Sequence, residues 1–192
     1  MWHRTLFICT AFLFAVAACS DAADEAATPP TSPVEVFSFT EHDLCDWLST
    51  DDLAAFISAE FDWTGTVEVL EPQNEPSREN CEWVLRGETD DPLGNLYLVK
   101  PAAGVYGAGH VEYGEQAGLG TWVVGHPALD EPALTAMSGF GGVAYGFPDD
   151  QRIITMWLDV PGYEPDAAFF VAEAGVANHI LHALGWFAIA AD

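Results

Sequence analysis

Basic side chains are nearly missing from this sequence: five Lys and Arg stand against thirty Asp and Glu in 192 residues, a formal net charge of −25. A field of that sign repels phosphates and anionic headgroups, which excludes nucleic-acid binding and adsorption to a membrane by charge. No apolar run reaches the roughly 20 residues that a membrane-spanning helix needs. No internal repeat is visible, and no Gly-x-Gly-x-x-Gly loop, P-loop lysine or Gly-x-Ser-x-Gly elbow is present. Asp90-Asp91-Pro92-Leu93-Gly94-Asn95 is acidic but lacks the alternating ligands and terminal Glu of a calcium loop, and reads as a turn. What remains is half apolar and 12% aromatic, enough to build one core and too apolar for a disordered chain.

The longest apolar run, Leu6–Ala18, has thirteen residues, follows Arg4, and fits the hydrophobic region of a secretory signal. It closes as Val16-Ala17-Ala18-Cys19, which resembles a bacterial lipobox. That resemblance implies cleavage after Ala18 and a diacylglyceryl thioether on Cys19; the alternative is ordinary signal cleavage beside an incidental cysteine. Multiple acyl chains anchor firmly, because each buried methylene contributes about 0.8 kcal/mol. Residues 1–18 are therefore expected to be a lipoprotein signal peptide. Residues 19–36, with Asp21, Asp24, Glu25, Pro29, Pro30 and Pro33, are expected to be a solvated tether, and 37–192 a single domain. Cleavage would remove Arg4 and no acid, leaving 174 of the 192 residues at a formal charge of −26 with Lys100 as the only lysine. The expected location is the cell envelope, lipid-anchored on the extracytoplasmic side.

Of the four cysteines, Cys9 leaves with the signal and Cys19 carries lipid, so two remain in an oxidising compartment. Cys45 and Cys81 are expected to pair, the alternative being two buried thiols or a reactive one.

Ser49-Thr50-Asp51-Asp52 opens a helix as a variant capping box, with Leu53, Phe56 and Ile57 at helical spacing to about Ala59. Strands are expected at Trp63–Glu71, Cys81–Arg86, Asn95–Lys100, Trp122–Val124, Val143–Phe147 and Arg152–Val160, where apolar residues alternate or cluster between turn signals. Pro165–Leu184 reads as a helix whose face is Phe169, Ala172, Val176, Ile180 and Ala183, stopped by Gly185. The apolar end Trp186–Ile189 should fold back onto the sheet. These elements predict an α+β fold, a mostly antiparallel sheet packed by an N-terminal and a C-terminal helix.

Lipobox, acidic tether, Leu44-Cys45-Asp46-Trp47-Leu48-Ser49, the Cys81-Glu82-Trp83 strand and Gly139-Phe140-Gly141-Gly142-Val143-Ala144-Tyr145 come in one order. That order resembles a family of small bacterial lipoproteins of unknown function, common in high-GC Gram-positives. The resemblance spans about Asp43 to Gly185 and implies a disulfide-linked, surface-anchored α+β domain. It implies no catalytic residue.

Chemistry-bearing residues are few. His179 and His182 form an i,i+3 pair on the last helix, weak candidates for a metal, which would need His110, Glu112 or His126 to complete the set. Ser138 has no elbow around it. Trp63 and Trp122, beside glycines, are candidates for a groove, against a core role. No catalytic residue, cofactor or resident metal is expected. The expected function is a non-enzymatic binding or interaction module that takes a partner protein or small envelope ligand on an exposed sheet face. The alternative is an envelope hydrolase using His126, His179 or His182 as base.

Overall fold

In the computed structural model the described residues are 34–70, 78–87, 93–101, 126–137, 142–147 and 152–190. They belong to one compact unit, Val34–Asp192. The expected signal, Cys19 and most of the expected tether lie outside them, as do His110, Glu112, Trp122–Val124 and Ser138.

The elements are α1 (Leu44–Trp47), α2 (Thr50–Phe61), β1 (Gly65–Val69), β2 (Asn80–Gly87), β3 (Gly94–Val99), β4 (Leu134–Met137), β5 (Val143–Phe147), β6 (Arg152–Asp159), α3 (Ala167–Ala183) and α4 (Phe187–Ala190). The strands form one six-stranded sheet in the order β1-β2-β3-β6-β5-β4, with every neighbouring pair antiparallel. Two three-stranded meanders thus meet along β3 and β6. The α+β fold, an antiparallel sheet flanked by an N-terminal and a C-terminal helix, is as the sequence pattern predicts.

Alternation explains the sheet. Cys81, Trp83 and Leu85 of β2 and Leu96 and Leu98 of β3 are buried on one face, and Met156, Tyr145 and Ile154 continue that face across β6 and β5. Helices α2 and α3 pack on each other; α2 also meets β1, α1 meets β2 and α3 meets β5. On the opposite face Ala136, Ala144 and Ile153 form a second small cluster. The expectation of an open sheet face is therefore corrected at the β4–β6 end. Val143–Phe147 has no polar residue to present to water, and all five of its residues are buried.

Helix ends follow local chemistry. The Ser49 hydroxyl accepts from the Asp52 amide at 3.1 Å, capping α2, and the Asp166 carboxylate accepts from the amides of Ala168 and Phe169, both at 2.9 Å, capping α3. Gly185 ends α3 at φ +70°, a left-handed turn, and its Cα lies against the Glu35 carbonyl so that a side chain would not fit. The Gly185 amide then donates to the His182 carbonyl at 2.9 Å.

The tail returns chiefly onto the segment before α1; it meets the sheet where Phe187 packs on Phe147 at 5.3 Å and Arg152 donates to the Trp186 carbonyl, and Ile189 stays exposed. Trp186 is buried and its Nε1–H donates to the Phe37 carbonyl at 3.0 Å, while Phe37 N–H donates to the Leu184 carbonyl at 2.9 Å. Trp47 Nε1–H donates to the Ala183 carbonyl at 2.9 Å, so the first residues of the folded unit and the end of α3 are stitched together. Cys45 and Cys81 form a disulfide with Cα atoms 5.4 Å apart, tying α1 to β2.

Candidate functional site

The histidines named from sequence come to rest apart. His179 Nε2 lies 3.0 Å from Glu60 Oε1 of α2, and its ring stacks on Phe56 with centroids 5.3 Å apart. His182 Nε2 lies 2.6 Å from Asp130 Oδ2 and stacks on Phe187 at 4.2 Å. Asn178 also engages Asp130, its Oδ1 accepting from the Asp130 amide at 3.0 Å. The His182 and Asn178 hydrogen bonds hold the Asp130 carboxyl below its ordinary range. Its contribution to stability is present at neutral pH and is lost as pH falls through that lowered value. His126 Nδ1 accepts from the Ala128 amide at 3.2 Å, and burial lowers the pKa of this imidazole.

Each histidine on α3 is thus spent on its own carboxylate, and the two pairs fasten α3 to α2 and to the segment before β4. Among the described residues no group of three His, Cys, Asp or Glu is placed to hold a metal. A His–carboxylate pair supports covalent catalysis only when a nucleophilic side chain is within hydrogen-bond reach of the imidazole. Among the described residues no hydroxyl or thiol hydrogen-bonds His126, His179 or His182. Trp63, a groove candidate from sequence, is a core residue at 5% exposure, its ring lying against Gly65.

A concavity among the described residues lies elsewhere. A cavity of about 410 Å³ opens where α2 ends and α3 begins, lined by Glu60, Phe61, Asp62, Gly162, Tyr163, Glu164, Asp166, Ala168, Phe169 and Ala172. Its aromatic wall is built on Phe61, which packs edge-on against Tyr163 with centroids 5.2 Å apart and tilted against Phe169 at 5.1 Å. Phe61 and Phe169 are buried, whereas Tyr163 is 39% exposed and faces the opening. Four carboxylates, from Glu60, Asp62, Glu164 and Asp166, surround these rings, and no basic residue is among the lining. The described cations are occupied at other places. Arg86 is 2.8 Å from Glu68, Lys100 is 2.8 Å from Glu79, Arg78 donates to the Glu41 carbonyl, and Arg152 donates to the Trp186 carbonyl over the Phe147 ring. The C-terminus of α2 brings the negative end of its dipole and the N-terminus of α3 the positive end, the latter met by the capping carboxylate of Asp166. The negative character of the site therefore comes from its acidic side chains. Rings that present negative faces, ringed by carboxylates, suit a positively charged organic group.

A further buried group was not singled out from sequence. Glu173 of α3 is only 3% exposed and points at the sheet, where the Tyr145 hydroxyl hydrogen-bonds its carboxyl and Thr135 in turn hydrogen-bonds Tyr145. Its Oε2 has no hydrogen-bond partner. Burial pushes this carboxyl up to about 7 from its ordinary 4.5, against the lowering effect of the Tyr145 hydrogen bond. Burial and the neighbouring Glu173 likewise raise the Tyr145 phenol, so it stays protonated and can donate. A legible signal existed: Glu173 is the only acid in Ala167–Ala183, on the apolar face one turn beyond Phe169. The cavity had no such signal, because its two halves lie about a hundred positions apart.

No family model, curated protein or solved structure matches this chain.

Proposed function

We propose that the chain is an exported envelope protein, lipid-anchored through Cys19, whose folded domain is a non-enzymatic binding module for a small organic cation. The anchor reading is supported by Val16-Ala17-Ala18-Cys19 at the end of the apolar run. The disulfide Cys45–Cys81 is in keeping with export, since such bonds persist in oxidising compartments. The binding reading is carried by one observation, the aromatic-walled, carboxylate-ringed cavity between α2 and α3, which holds no cation of its own. A ligand ammonium would sit over the Tyr163 and Phe169 rings with Glu60 and Glu164 beside it.

Titration calorimetry with 1,5-diaminopentane, against the uncharged 1,5-pentanediol, tests the binding reading. The diamine should bind and the diol should not, and affinity should fall as salt screens the carboxylates. Tyr163→Ala should weaken binding roughly 2- to 30-fold, the range of about 0.5–2 kcal/mol for one cation–π contact. Equal binding of diol and diamine, or affinity indifferent to Tyr163→Ala, would contradict it.

A further inference from the structure

A carboxyl buried in a core survives without a cation only while it is neutral, because an ionised carboxylate in a low-dielectric site needs a counter-charge or full hydrogen bonding. Glu173 has neither. Its Oε2 is unpartnered, one phenol is its only hydrogen-bonding neighbour, and the helix carrying it lies directly on β5.

Charged and titratable groups around α3 come from three directions. From the sheet, Tyr145 faces Glu173, with the neutral Thr135 behind it. From α2, Glu60 lies against Gly175 and binds His179. From the segment before β4, Asp130 binds Asn178 and His182. None of these elements directs a Lys or Arg at Glu173 among the described residues.

We propose that Glu173 is a proton-held latch: its neutral carboxyl docks α3 on Tyr145 of β5, and loss of that proton to solvent loosens α3 from β5. The inference depends on neither the lipid anchor nor the cation site. Its sign is fixed by linkage. An open helix exposes Glu173, which then ionises at its ordinary 4.5, whereas the docked group holds its proton up to about 7. Docking is therefore fully favoured below the lower value, weakens across the interval, and is constant again above the upper one.

Hydrogen exchange of the full chain between pH 5 and pH 8, corrected for intrinsic exchange, reads this directly. Amides of α3 should open on the order of 50-fold more often at pH 8 than at pH 5, as that pair of values requires. In Glu173→Gln, which keeps the shape and cannot ionise, the change should shrink to a few-fold. The His179–Glu60 and His182–Asp130 pairs persist in both proteins, so the difference between them isolates Glu173. Identical pH profiles for the two proteins would overturn the proposal. Were Glu173→Gln not to fold, the Glu173 carboxyl carbon resonance of the wild type decides: a midpoint well above 4.5 supports the latch, and one at 4.5 overturns it.

Discussion

Reduction of the Cys45–Cys81 disulfide, or Cys45→Ser, should lower the melting temperature by roughly 10 °C. The bridge closes residues 45 to 81, a separation of 36 that contains α2, β1 and the chain leading into β2. Loop closure of that length restricts the unfolded chain by about 4 kcal/mol. In a domain of this size each kcal/mol shifts the melting point by about 2–4 °C. Both ends of the bridge are seated in hydrogen-bonded structure: Asp43 caps α1, its carboxylate accepting from the Cys45 amide at 2.9 Å, and Cys81 pairs with Leu98 near the start of the β2–β3 ladder. The expected result is therefore a less stable domain of the same fold. Equal melting with and without reductant would contradict the stabilising role.

The second large effect concerns Trp83. It is fully buried on β2, between Val69 on one neighbouring strand and Leu96 on the other. Trp83→Ala removes the largest side chain from the middle of the core and should cost about 3–5 kcal/mol, much of the 5–15 kcal/mol that a domain typically has. Trp83→Phe should cost far less. The Trp83 Nε1–H is buried without a partner, so phenylalanine discards an unsatisfied donor together with some volume. Trp186 is the control. Its Nε1–H donates to the Phe37 carbonyl, so Trp186→Phe strands a buried acceptor and should cost more than Trp83→Phe. Chemical denaturation of the three variants measures this order, and a Trp83→Phe as damaging as Trp83→Ala would contradict it.

Strands β2, β3, β5 and β6 and both long helices were legible in sequence because their signals are local: alternation, Asp and Ser caps, and a terminating glycine. β4 was not. Leu134-Thr135-Ala136-Met137 has a weak strand pattern and is extended because β5 pairs with it. Phe56 was expected in the buried stripe of α2 and is partly buried, packed at the edge of the core with His179 stacked over its ring. Ala183 was expected on the buried face of α3, where Leu181 and Leu184 are buried instead. The disulfide followed from counting cysteines. The cavity did not follow from anything local, since Phe61 and Tyr163 meet only once α2 and α3 pack together. Glu173 shows the remaining gap. A lone acid on an apolar stripe signals burial, but only the sheet reveals that tyrosine and threonine, and no cation, wait opposite it.

The central claim is the exported, acylated state, which fixes the redox surroundings of the bridge and the compartment of any ligand. Intact-mass measurement of the protein purified from the membranes of its native cells tests it most directly. The account predicts a chain that begins at Cys19 and carries a diacylglyceryl adduct on that residue, and a Cys19→Ser variant that leaves the membrane fraction. A chain that still begins at Met1 and bears no lipid would contradict it.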